Sequence, residues 1–184
     1  MKNTMTKIRG IGYLFWHTRH MLYHLLLGTV WVWMVKDQLG IYGPNFLFIS
    51  LLGSIFPDFE HLLFFFTYGQ RDAYTKQIKG YISHGDWRVL IRFIEQGHKY
   101  NTKLRYHNIY AIFGLTGITT LLFATHAYSG FIFTGAMVIH YLFDILDDLA
   151  SLGRLNKNWF RWGTGKLKSD ASIWKYLDKT IPRR

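Results

Sequence analysis

The sequence predicts an all-α protein: an integral membrane bundle of four transmembrane helices, with a cytoplasmic amphipathic helix between spans two and three. Three observations predict it. Four apolar blocks each approach the roughly 17–25 residues that cross a bilayer. None of them alternates with period two, and all are too long for strands. The basic residues are also sorted by segment. Four precede Met21, one lies in 36–44, eight lie in 67–107, none lies in 128–129 and nine follow Leu146, so that 21 of 22 fall in alternate segments. Sorting of this kind is the positive-inside pattern of four spans with both termini cytoplasmic, and a soluble bundle has no reason for it.

The first span is Met21 to Val35, extendable back through "IGYLFW". It lacks a compact apolar region with a small-residue cleavage site, so it reads as a retained span rather than a signal peptide. The second is Asn45 to Phe66, with Pro57 placed to kink it. The cytoplasmic loop 67–107 contains "HGDWRVLIRFIEQGHKY", which sets Trp87, Leu90, Ile91 and Ile94 on one helical face and Arg88, Arg92 and Glu95 elsewhere. Gly97 is a helix stop, and the helix is expected to lie on the membrane surface. The third span is Asn108 to Ala127 and the fourth Gly130 to Leu146. Residues 1–150 thus form the membrane domain. Residues 151–184 form a basic tail whose Trp159, Trp162 and Trp174 suit headgroup level.

Composition narrows the chemistry. The chain has 184 residues, one domain's worth, and a formal net charge of +11. That charge suits anionic lipid as a partner, with nucleic acid ranking behind it, and in a multi-pass inner-membrane protein it also reports topology. With no cysteine, thiolate nucleophiles, disulfides and Cys-ligated zinc are excluded. Any metal must be held by His, Asp or Glu.

Depth then singles out six residues. His24 lies one turn into span one, Asp58 and His61 late in span two, His107 at the opening of span three, and His140 and Asp144 late in span four. All fall in the cytoplasmic half of their spans, so antiparallel helices can bring them to one level. Asp58 and His61 are i, i+3 and His140 and Asp144 are i, i+4, so each pair shares a helix face; Asp147 and Asp148 continue near it. A carboxylate and an imidazole one turn apart are how bundles present metal ligands to their core. Each intramembrane charge costs about 2.5–3.5 kcal/mol on insertion scales, so the six are expensive unless they satisfy one another or a cation. A divalent metal is the expected cofactor, with zinc first and manganese or iron as alternatives for an all-N/O ligand set. His17, His20, His84, His98 and His126 read as surface or interfacial, with His20 a near competitor of His24 from one turn away. His24 and His107 are 83 positions apart, as are His61 and Asp144, a weak echo between two helical hairpins.

These residues carry a family resemblance. "FPDFEH" resembles the L-P-D-[ILV]-D-H signature of the YdjM-like, LexA-regulated inner-membrane metal-dependent hydrolases. That family also has a His opening its first span, here His24 in "HLLLG". It has a T-H-S at a later span, here "YHN" with His107, and an H-x-L-x-D late in the final common span, here "HYLFD" with His140 and Asp144. Order and topology match over roughly residues 20–150. The family is distantly similar to zinc-dependent phospholipases C and single-strand nucleases, which implies phosphoester hydrolysis at a cluster of zinc-like ions. The chain departs from it in lacking His-Arg-Gly ahead of His107, with Arg105 the nearest basic residue, and in carrying Asn108 for Ser and Glu60 for Asp.

The mechanism expected is metal-assisted hydrolysis. His24, Asp58, His61, His107, His140 and Asp144 would hold one to three ions. Glu60 or Asp148 would act as general base or orient a ligand, and Arg105 would clamp a phosphate. Depth near the cytoplasmic headgroups favours a phospholipid or lipid phosphate as substrate. A membrane di-iron oxidase needs more histidine boxes than the single His20–His24 pair supplies. A non-enzymatic scaffold, adaptor or ion-binding module is the alternative, with the polar set structural or a permeation path. Nothing in the sequence specifies an oligomeric state.

Overall fold

The computed structural model describes residues 11–97 and 104–160. Among the described residues seven helices follow one another: α1 (Ile11–Leu39), α2 (Phe46–Ile55), α3 (Phe59–Phe66), α4 (Ala73–Ser83), α5 (Trp87–Gly97), α6 (Ile109–Ala124) and α7 (Tyr128–Leu152). Short 3₁₀ turns occupy Phe56–Asp58 and Lys157–Phe160, and there is no strand among the described residues. The second apolar block is two helices rather than one, because Pro57 sits in the first turn of the 3₁₀ segment and has no N–H to continue the ladder. Asn108 starts α6 as an N-cap: its side chain accepts from the Ala111 N–H at 2.9 Å. Gly153, with φ of 66°, ends α7 in the left-handed conformation that glycine adopts without strain.

Helix α7 packs on α1, α2 and α6, and α1 also packs on α2. Small residues allow the close approach. A Cβ at Gly53 would lie 2.4 Å from the Phe133 carbonyl oxygen of α7, and one at Gly28 would lie 2.9 Å from Ser54 Oγ. Polar side chains tie the same faces. Ser50 Oγ donates to the Gly28 carbonyl at 2.7 Å, Trp31 Nε1 to the Ile132 carbonyl at 3.1 Å, and Thr119 to Thr134 at 2.9 Å. Small residues and interhelical hydrogen bonds are the glue of helices whose surroundings are already apolar.

Segments Phe46–Phe66 and Tyr128–Ala150 are long and apolar enough to cross a membrane. The other two expected spans fall short of that standard for different reasons. Helix α6 has 16 residues, about 24 Å at 1.5 Å per residue, against a hydrocarbon core of about 30 Å. Helix α1 is long enough at 29 residues, but His17, Arg19, His20, His24, Lys36 and Asp37 dilute its apolarity.

Two further expectations are corrected. The amphipathic helix is real as α5, but its buried face is Val89, Leu90 and Phe93, while Trp87 and Ile94 are exposed. That face packs against Tyr74, Ile78 and Tyr81 of α4, together with Phe64 and Leu104, in a helical hairpin. The spacing of Tyr74, Ile78 and Tyr81 is helical, but the three apolar residues are sparse among polar ones. Trp159 is also not an interfacial anchor. It is buried against Ile112 and Tyr141, so Lys157–Phe160 folds back onto α6 and α7. Trp162, Trp174 and His98 lie outside the described residues.

Gly53→Ala should lower stability by about 1–3 kcal/mol, because the added methyl meets backbone that cannot move aside. Gly80→Ala, where a Cβ meets nothing within 4 Å, should raise it by about 0.5–1 kcal/mol. Thermal unfolding in detergent reads both, and equal midpoints for the two variants would contradict the α2–α7 contact.

Candidate metal centre

The site is built from its supports inward. Glu60, at the start of α3, is 4% exposed. Its Oε1 accepts from the Tyr68 hydroxyl at 2.7 Å, the Tyr106 N–H at 2.9 Å and the Arg105 N–H, and its Oε2 accepts from His107 Nδ1 at 2.8 Å. One carboxylate therefore pins the loop ahead of α6 onto α3. Burial, and then the hydrogen bond to Glu60, raise the Tyr68 phenol, which keeps it a donor at physiological pH. On α7, His140 Nδ1 donates to the Ser54 carbonyl at 2.6 Å.

These partners set the tautomers. A carbonyl oxygen and a carboxylate oxygen only accept, so the proton of each neutral ring sits on Nδ1 and the lone pair on Nε2. Both Nε2 atoms are buried and have no hydrogen-bond partner. They converge on an acid: His140 Nε2 lies 3.1 Å and His107 Nε2 3.8 Å from Asp144 Oδ2. Asp58 Oδ1 is 3.8 Å from His140 Nε2. From α1, His24 stacks on His140 with ring centroids 3.7 Å apart and brings its Nε2 to 3.4 Å from Asp144 Oδ1, which has no hydrogen-bond partner either. His61 completes the ring of imidazoles, with its centroid 5.4 Å from that of His107.

Lone pairs facing a carboxylate in a buried site repel unless a cation lies between them. The donor atoms fall into four overlapping triads, each with all its atoms within 4.8 Å: His20, His24 and Asp144; His24, Asp58 and His140; Asp58, His61 and His107; and His107, His140 and Asp144. These His and Asp groups can hold a metal ion, and the orphaned Nε2 atoms are what such an ion would satisfy.

All six residues singled out by depth therefore meet. His20 joins them, with its Nε2 2.9 Å from His24 Nε2 and 3.5 Å from Asp144 Oδ1; its one-turn spacing from His24 was the available signal. Of the other residues expected in the site, Glu60 stands behind His107 with both oxygens engaged by hydrogen-bond donors, which matches the orienting one of its two expected roles. Asp148 accepts from Trp159 Nε1 at 2.8 Å and lines the cavity beside the cluster. The Arg105 guanidinium is stacked over the Tyr68 ring at 4.3 Å and is not part of the cavity wall.

That cavity has a volume of about 580 Å³. His20, Asp58, His61, His107, Asp144 and Asp147 form its polar end. Asn158, which sequence reasoning missed, reaches it from the C-terminal turn. Its Nδ2 donates to the His107 carbonyl at 2.7 Å, which orients Oδ1 the other way, buried and without a partner. No protein family, curated protein or solved structure matches the chain, so the geometry alone carries the functional reading.

Replacing Glu60 with Ala leaves a phenol, two amides and an imidazole without their acceptor. The expected loss is about 3–5 kcal/mol. Hydrogen exchange at the Tyr106 amide should accelerate more than exchange in the middle of α7. Uniform acceleration, or none, would show that Glu60 does not hold this loop.

Proposed function

We propose that the protein is a membrane-embedded, metal-dependent hydrolase acting on a phosphoester of a lipid or other amphipathic substrate at the cytoplasmic face. The observation that carries this reading is the pair of buried imidazoles, His107 and His140, whose Nδ1 protons are committed and whose Nε2 lone pairs converge on Asp144. His24, Asp58, His61, His107, His140 and Asp144, with His20 beside them, would hold one to three divalent ions. All-N/O ligation suits zinc first, then manganese or iron. A divalent ion there supplies Lewis acidity toward a phosphoryl oxygen and makes a bound water more acidic. Glu60 and Ser54 hold ring orientation and tautomer, as supporting partners of metal-binding histidines do. Asp147 and Asp148 are the wall carboxylates outside the ligand set that would take a proton from water. Asn158 Oδ1 would accept a hydroxyl of the substrate.

The membrane setting has its own support. The bundle buries a polar cluster and exposes large apolar side chains. Ser50, Ser54, His24 and His140 are at most 1% exposed, while Trp33, Phe48, Phe113 and Leu121 exceed 60%. An apolar surface this extensive on a monomer marks a contact with membrane or protein. With the sorted charges it supports four spans in the inner membrane, α1 and the short α6 completing the set, and cytoplasmic termini. The YdjM-like resemblance fits the same reading. Asn108, where that family carries Ser, is the N-cap of α6, a position either residue serves.

Detergent-purified wild type should retain at least one divalent metal per chain by elemental analysis. Asp144→Asn and His140→Ala should lose it, and Glu60→Gln should weaken binding about 10–100-fold. Affinity should fall as pH drops, because the imidazoles must be neutral to bind. Phospholipids and alkyl phosphodiesters should turn over with the loaded wild type alone. Full metal retention in both ligand variants would remove the site, and metal without turnover on any phosphoester would remove the hydrolase.

A further inference from the structure

We infer that the cavity takes one hydrocarbon chain of its ligand sideways from the bilayer, through an opening between α1 and α3. The head-group chemistry rests on the hydrolase reading above; the chain site does not. Away from the His and Asp residues the cavity wall is apolar, formed by Phe65, Tyr74, Ile91, Ile94 and Leu104. Three of these, Tyr74, Ile91 and Ile94, come from the α4–α5 hairpin. At the rim stand Met21 of α1 and Phe59 and Leu62 of α3, which are 50%, 56% and 47% exposed. Helix α1 takes its packing from α2 and α7, so its contact with α3 is left to side chains around this gap.

Apolar side chains half exposed at the mouth of an apolar cavity are costly in water and neutral in hydrocarbon. The rim residues belong to α1 and to the apolar segment Phe46–Phe66, so the mouth opens where lipid chains would be. The volume of about 580 Å³ lies within the roughly 300–1,000 Å³ of a site for one small ligand. That accommodates a single chain and its head, and leaves a second chain of a diacyl lipid in the bilayer. The chain would lie along Leu62, Phe65 and Ile91 and deliver the head to His61, His107 and Asp144.

The test uses the full chain in phosphatidylcholine nanodiscs with hexadecyl phosphate carrying a mid-chain diazirine. After photolysis, adducts mapped by mass spectrometry should fall on Leu62, Phe65, Ile91, Ile94 or Leu104. Unlabelled hexadecyl phosphate should compete, whereas butyl phosphate and inorganic phosphate should not. Leu62→Trp should cut these adducts at least about fivefold by filling the mouth, and Phe66→Trp, on the outer face, should not. If Leu62→Trp does not fold, Met21→Trp narrows the same mouth from α1. Adducts confined to outward residues such as Phe48, Phe66 and Leu146 would overturn the inference, as would competition by inorganic phosphate alone. Cavity adducts in metal-loaded wild type that turns over no phosphoester would sink the hydrolase and keep the chain site. Turnover in wild type with adducts only on the outer face would do the reverse.

Discussion

Two imidazole lone pairs aimed at one buried carboxylate are the constraint on which the rest of the structure depends. Left to themselves, His107, His140 and Asp144 would rotate apart or take up protons. The fold prevents rotation by holding the far side of each ring. Ser54 holds His140 through a carbonyl that the Gly53 contact keeps close to α7. Glu60 holds His107 and, with the same carboxylate, two backbone amides of the loop that carries it. The two supports come from α2, through Ser54, and from α3, through Glu60.

The setting makes that constraint expensive. Ionisable groups gathered in a largely buried cluster are costly unless they satisfy one another or a cation. The bundle sets this polar cluster beside apolar core clusters and leaves large apolar side chains such as Trp33, Phe48 and Phe113 exposed. The helices approach one another through small residues and interhelical hydrogen bonds, at Gly28, Gly53, Ser50 and Thr119.

The pieces outside the bundle finish the site. The α4–α5 hairpin has its own core, centred on Tyr74, Phe93 and Phe64, and lends the apolar wall of the cavity. The turn at Lys157–Phe160 closes the opposite side, where Trp159 and Asn158 hold Asp148 and the His107 carbonyl. A catalytic reading and a lipid-binding reading thus share one chamber, polar at the end made by the bundle and apolar at the end made by the hairpin.

Helix content, the four apolar blocks, the bend at Pro57 and the His and Asp pairs were legible in the sequence, because each rests on spacing within a few turns or on bulk composition. The convergence of His24, Asp58, His61, His107, His140 and Asp144 was legible too, since counting along antiparallel segments brings them to one level. Which nitrogen of each ring faces the cluster was not, because that is decided by Glu60 and Ser54, remote in sequence from His107 and His140. The partner of α5, the inward turn of Trp159 and the reach of Asn158 were hidden for the same reason. Periodicity records which face of an element is apolar, and only the tertiary structure records what that face meets.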